Sequence, residues 1–266
     1  MSVHLVLIDA LNLIRRIYAV QERPFLMNEE LSENTKQQVL FNTQQACINA
    51  VKKIIKQQQP THILMVFDSK NPCWRYKIYP DYKKGRKKMP EHLANQLSVI
   101  QDDLMNINVD SLISETDEAD DLIATLALKV ALKGQNVTIV STDKCFLSIL
   151  NCHINVYDYF NRRYLDEHYV LEKFNVTPEQ LIDLWTLTGD STNKIPGVAG
   201  IGQITASELL NEYGTLSAVT SAENIKKSLA KKLNENIETI ELSRQLLTLR
   251  NDIPLGFNLK DIRLTN

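Results

Sequence analysis

Apolar positions fall into short blocks, and their spacing changes along the chain. Val3–Ile8 and Thr61–Phe67 are short apolar runs, read as buried strands, and each is followed at once by an aspartate, Asp9 and Asp68. Between them, Thr35 to Gln57 carries helical spacing through Val39, Leu40, Ala46, Ile48, Val51, Ile54 and Ile55, and Pro60 stops it. A second helix is predicted from about Pro90 to Met105, a short strand over Asn108–Ser114, and a helix over Glu118–Lys133 that ends at Gly134. Asn136–Ser141 and Ile154–Tyr159 read as two more buried strands. Strands alternating with helices predict an α/β domain with a mostly parallel central sheet flanked by helices. Gln21–Glu33 is the expected loose loop.

Beyond about Leu165 the pattern turns helical. Thr177-Pro178-Glu179-Gln180 forms a capping box with proline at the first helical position, opening a helix to about Thr188. Further helices are predicted at 203–212, 224–235 and 237–250. The expected organisation is an α/β core over 1–164 and a helical region over 165–266, together one compact unit.

Composition narrows the class only slightly. The 266 residues are 44% hydrophobic and 23% charged, with a net charge of −2, as in an ordinary globular protein. The charge is unevenly placed. Residues 70–88 hold Lys70, Arg75, Lys77, Lys83, Lys84, Arg86, Lys87 and Lys88 against one acid, Asp81. That is either a footprint for a polyanion or a solvated lysine loop. Cys47, Cys73, Cys145 and Cys152 show no CxxC spacing, so neither a zinc site nor a disulfide framework is suggested, and a reducing cytoplasm is the default expectation. The N-terminal apolar run is too short for a signal peptide. No run approaches the ~18 apolar residues of a membrane span, so no membrane partner is expected.

Two features carry chemistry. Four of the eight glycines fall between Gly189 and Gly202, and Gly197-Val198-Ala199-Gly200-Ile201-Gly202 looks like the hairpin of a helix–hairpin–helix spanning about 177–212. Its amides and the helix N-terminus from Gln203 could hold a backbone phosphate, although a plain glycine-rich turn would read the same way. The second feature is acidic. Asp9, Asp68 and Asp143 end or follow three strands, and Glu118, Asp120 and Asp121 open a helix. Ligands of open α/β sheets bind at that rim. Singly, such acids cap helices. Together they repel unless a hard cation such as Mg2+ or Mn2+ sits among them.

These motifs, in order, resemble the flap endonuclease / 5′ nuclease family. They are Leu7-Ile8-Asp9, Val66-Phe67-Asp68, Trp74-Arg75, Tyr79-Pro80-Asp81-Tyr82-Lys83-Lys84-Gly85-Arg86, Glu118-Ala119-Asp120-Asp121, Ser141-Thr142-Asp143-Lys144, and Gly189-Asp190-Ser191 through Gly202. The size and hairpin resemble the short stand-alone bacterial exonuclease IX (Xni-type) subfamily. The resemblance implies a PIN-like core and a metal-dependent, structure-specific hydrolysis of 5′ flaps on branched DNA by a monomer. It implies one metal site from Asp9, Asp68, Glu118 and Asp120, and places Asp121, Asp143 and Asp190 around a second. Where the family usually has further acids, this chain has Cys145 and Asn193, so the second site is expected to be weak or completed by DNA.

The resemblance also implies a helical gateway over about 70–92, with Lys83, Arg75 and Arg86 at the scissile phosphate. Tyr82 and Lys84 would touch DNA, unless the aromatics simply pack beneath the arch. It implies K+ held by the carbonyls of Leu187, Thr188, Pro196, Val198 and Ile201. Duplex contacts would come from Gly197, Gly200, Ile201, Gly202, Gln203, Ile204 and Thr205. Two other readings stay open: a non-catalytic binder of branched DNA, and a related nuclease acting on RNA.

Overall fold

The computed structural model describes residues 2–25 and 31–265. In chain order, β1 (His4–Asp9) runs directly into α1 (Ala10–Glu22), followed by α2 (Glu33–Gln58), β2 (His62–Phe67), α3 (Trp74–Ile78), α4 (Glu91–Met105) and β3 (Asp110–Ile113). Then come α5 (Ala119–Ala131), β4 (Asn136–Val140), β5 (Ile154–Asp158) and β6 (Arg163–Tyr164). The helices α6 (Glu167–Phe174), α7 (Leu181–Thr188), α8 (Gln203–Tyr213), α9 (Leu216–Ser221), α10 (Lys227–Glu235) and α11 (Ile237–Leu247) complete the chain. Most of the predicted elements are present within a few residues. The capping box at Thr177 forms, although its first turn, Pro178–Gln180, is tighter than an α-helix.

The sheet order is β3-β2-β1-β4-β5-β6, parallel except for β6. Strands buried on both sides need apolar residues at every position, which is why β1 and β2 read as unbroken runs. Alternation then sorts the side chains into two cores. Leu5, Leu7, Leu64 and Val66 face α5 and the C-terminal helices. Val6, Ile8, Ile63, Met65 and Phe67 face α1, α2 and α4. The chain reverses its direction of travel across the sheet between β1 and β4. Their carboxyl ends therefore flank the crevice where open α/β sheets bind ligands.

Two expectations change. The Gln21–Glu33 loop is shorter than read, because α1 continues through Glu22 and Ser32 caps α2; residues 26–30 lie outside the described residues. The basic segment is not a helical gateway. Only Trp74–Ile78 is helical, followed by turns over 80–85 and extended chain to Pro90. Pro72, Pro80, Gly85 and Pro90 interrupt any longer helix, and Lys83 and Gly85 adopt left-handed backbone at φ 54° and 77°.

Candidate active site

The crevice gathers carboxylates because strand ends and helix starts meet there. Asp9 closes β1 and caps α1: Oδ1 accepts the Asn12 N–H at 3.2 Å, and Oδ2 accepts the Ser141 hydroxyl at 2.8 Å. Asp68, just past β2, accepts the Ala119 N–H at 2.9 Å and so anchors the start of α5. Asp143 accepts the Cys145 N–H at 3.0 Å and caps the short 3-10 helix Lys144–Ile149. Asp120 lies in the first turn of α5, and no hydrogen-bond donor among the described residues reaches its carboxylate. Burial, with Asp68 and Asp143 adding to it, pushes the Asp9 carboxyl up to about 7 despite the Ser141 hydrogen bond. Burial, then Asp143 and Asp9, raises Asp120 well above the usual carboxylate range.

Asp9, Asp68, Asp120 and Asp143 line one cleft of about 260 Å³. The same cleft is lined by Arg15 and Arg16 of α1 and by Lys83 and Arg86 of the basic segment. The raised pKa values of Asp9 and Asp120, and four carboxylates in one cleft, favour a hard divalent cation, so this donor set fits one. Ligand atoms of Asp120, Asp143 and Cys145 also lie within 4.8 Å of one another. Burial and those two carboxylates push the Cys145 thiol up, and a thiol suits a hard cation poorly.

Lys83 sits on the cleft wall by two devices. Its backbone N–H donates to the Asn193 carbonyl at 2.9 Å, which ties it to the glycine-rich loop. Its ammonium donates to Glu118 Oε1. Burial disfavours that charge, but Glu118 outweighs it and raises the Lys83 pKa. Glu118 is likewise buried, yet Lys83 and Arg75 hold its carboxyl below the usual range. Glu118 Oε2 receives Arg75 Nη1 at 2.6 Å and the Tyr82 hydroxyl at 3.2 Å. Glu118, expected with Asp9, Asp68 and Asp120 around one metal, has both oxygens paired with Lys83, Arg75 and Tyr82 here.

Arg75 and Asp121 are engaged with each other. Arg75 is buried, and all five of its N–H groups are used: Nε on the Leu246 carbonyl, Nη1 on Glu118 and Asp121, and Nη2 on Asp121 and the Thr248 carbonyl. None remains for a phosphate. Asp121, fully buried, accepts from Arg75 at 2.7 and 2.9 Å, from Trp74 Nε1 at 3.0 Å and from the Arg250 N–H at 2.9 Å. It faces α3 and the C-terminal segment rather than the cleft. Asp190 is buried too, receiving Lys144 Nζ at 3.1 Å and Asn193 Nδ2 at 2.8 Å. It shares a small cavity of about 30 Å³ with Asp120, Asp143 and Cys145, but its oxygens serve its own loop.

Tyr82 is buried at 4% exposure and packs edge-on against Tyr76, so it cannot stack on a base. Packing beneath the segment is what it does. Lys84 is exposed and pairs with Asp81 at 2.8 Å. In the hairpin, Gly200, Gly202, Gln203 and Ile204 are exposed, Thr205 is half-buried, and Ile201 is buried. Gly197 does not face solvent: a Cβ there would lie 2.3 Å from the Thr188 carbonyl carbon, so its role is close packing on α7. Of the carbonyls expected around K+, that of Leu187 accepts the Val198 N–H, that of Val198 accepts the Ile201 N–H, and that of Pro196 accepts Ser243. Each keeps a second lone pair, so the set still fits a monovalent cation.

Arg15 and Arg16 escaped the sequence reading. Their signal was present: Asp9 as a cap, then apolar Ala10, Leu13, Ile14, Ile17 and Tyr18 at helical spacing, which leaves both arginines on the cleft side. Arg15 donates to the Lys87 carbonyl at 3.0 Å and Arg16 to Thr142 at 2.6 Å.

An α/β protein whose crevice is lined by four carboxylates and four cationic side chains can hold a cation and a polyanion together. Residues 4–175 match the 5′-3′ exonuclease N-terminal resolvase-like domain, and residues 176–266 match the 5′-3′ exonuclease C-terminal SAM fold. The chain belongs to the 5′-3′ exonuclease family. It is 65% identical to the flap endonuclease Xni of Colwellia psychrerythraea, across 100% of this chain and 93% of that protein. It is 45% identical to that of Photobacterium profundum, across 99% and 98%. The fold resembles the phage T5 5′-exonuclease with bound zinc ions, at a TM-score of 0.75, 20% identity and coverage of 92% of this chain and 89% of that one. It also resembles the catalytic core of Rad2 in complex with DNA, at a TM-score of 0.57, 15% identity and coverage of 98% and 83%. Among the described residues no helix is long and apolar enough to cross a membrane.

Proposed function

We propose that this chain is a divalent-metal-dependent, structure-specific 5′ nuclease that hydrolyses phosphodiester bonds at the 5′ flaps of branched DNA. One observation carries the reading. Asp9, Asp68, Asp120 and Asp143 converge on a single cleft that Arg15, Arg16, Lys83 and Arg86 also line. Those four carboxylates would hold Mg2+ or Mn2+. A cation so bound supplies an activated water and offsets charge on the phosphate. Lys83, held by Glu118 and Asn193 on the lining of the cleft, would steady the charge that develops on the reacting phosphate. Arg15, Arg16 and Arg86 hold the neighbouring phosphates. Arg75, Glu118 and Asp121 position Lys83 and α5 and do not touch the DNA. Cys145 and Asn193 leave the second metal position weak. The helical region presents the exposed Gly200, Gly202, Gln203 and Ile204 of the hairpin to the duplex, with K+ at the 187–201 carbonyls, and the protein acts as a monomer.

Cleavage of a labelled 5′-flap duplex tests this reading. Mg2+-dependent cutting near the branch, abolished by EDTA, is expected. Tight binding without cutting would make the chain a branched-DNA binder, and preferential cutting of RNA flaps would shift the substrate class.

A further inference from the structure

α10 has a charged face with no structural use. Three lysines, Lys227, Lys231 and Lys232, sit on it, Lys226 precedes it, and Glu235 is its single acid. Leu233 is buried beneath the helix, with Leu229 and Ala230 half-buried beside it. At about 100° per residue, Lys227, Lys231 and Lys232 all fall within roughly 140° on the opposite side. All three are exposed. The pair closest to an internal partner, Lys231 and Glu235, is long at 3.7 Å and surface-exposed, so it contributes little. Lys227 and Lys231, one turn apart, oppose each other on the helix.

This face adjoins the hairpin. A Cβ built on Gly200 would lie 2.6 Å from Lys232 Nζ, which places that ammonium directly over the exposed hairpin tip. Gly202 caps α8 beside it with no side chain in the way. A duplex backbone that reaches Gly200 therefore meets Lys232 at once, then Lys231 and Lys227. We propose that α10 is a second phosphate-contacting arm, which carries the duplex beyond the hairpin and extends the DNA footprint. The inference rests on the duplex-DNA reading above. Nine helical residues span about 13 Å, the rise of roughly four base pairs. Lysines act there as flexible point charges on a backbone, so the contact is independent of base sequence.

The test is the salt dependence of binding to a flap duplex with a long double-stranded arm, measured in Ca2+ by fluorescence anisotropy. A Lys227→Gln/Lys231→Gln/Lys232→Gln variant is compared with Lys52→Gln/Lys53→Gln/Lys56→Gln, the same charge change on α2 at the far end of the sheet. Each lost phosphate contact flattens the log–log slope by about 0.9. The α10 variant is expected to lose about two to three units of slope, and the α2 variant none. An α10 slope equal to the parent's overturns the assignment. If the triple variant melts early, Lys231→Gln alone should still lose about one unit, and an unchanged slope there overturns it equally. A parent that fails to bind the duplex overturns the underlying reading instead.

Discussion

Asp9 decides how protons and metal compete for the cleft. Its carboxyl is pushed up to about 7 by burial, with Asp68 adding to the effect and Ser141 opposing it. The folded, metal-free protein therefore keeps a proton that the unfolded chain releases above pH 3.8, so its stability falls as pH rises from there through about 7. A divalent ion must displace that proton. Mg2+ affinity measured by calorimetry should climb as pH rises from about 5.5 toward 8, as Asp9 and Asp120 give up their protons. Ser141→Ala removes the hydrogen bond that favours the anion and should move that climb to higher pH. A flat profile between pH 5.5 and 8 would contradict this account of Asp9. Asp121, one residue from Asp120, behaves differently. Asp121→Ala leaves the buried Arg75 guanidinium without its main partner and should cost about 3–5 kcal/mol of stability in chemical denaturation. Asp120→Ala should cost nothing comparable, because no hydrogen bond is lost.

At the scale of elements, the hairpin's glycines have different roles. A Cβ on Gly197 would lie 2.3 Å from Thr188, backbone against backbone, whereas nothing lies within 4 Å of one on Gly202. Gly197→Ala should push the loop off α7, lower the melting temperature and weaken duplex binding together. Gly202→Ala should keep the melting temperature within a degree or two. Equal melting temperatures for the two variants would contradict the packing role of Gly197. The strands and long helices were legible because burial on two faces and helical periodicity write directly into the sequence. The α1 pattern was equally legible, but it follows β1 with no linker. What could not be read was tertiary: Arg75 meets Asp121 across 46 positions and the Leu246 carbonyl across 171. A Trp-Arg pair and an Asp-Asp pair do not say which acid faces the cleft. The two adjacent aspartates point apart because successive helical positions are about 100° apart, so only one of them can face the metal.

Across the whole molecule, the N-terminal and C-terminal parts share a core. One hydrophobic cluster runs from Leu5 and Val66 through α5 to Leu246, Ile253 and Ile262. The last residues return to the sheet, where the Leu264 N–H donates to the Thr61 carbonyl at 3.1 Å. The Arg250 side chain pairs with Asp117 at 3.1 Å, and Lys129 reaches the Ile253 carbonyl at 3.0 Å. We therefore propose that residues 1–164 and 165–266 unfold as one cooperative unit despite their different secondary structure. Calorimetry should give one transition with matching calorimetric and van't Hoff enthalpies, and a fragment ending at residue 175 should not fold. Two resolved transitions would separate the units.

We propose that Asp9, Asp68, Asp120 and Asp143 form the reacting centre, while Arg75, Glu118 and Asp121 hold its frame. Single-turnover cleavage of a labelled 5′-flap duplex in Mg2+, with saturating Asp120→Ala protein beside the parent, tests it most directly. The rate should fall by at least about a thousandfold, roughly 4 kcal/mol of transition-state stabilisation, at an unchanged melting temperature without metal. A folded Asp120→Ala variant that cuts the flap at close to the parental rate would contradict it.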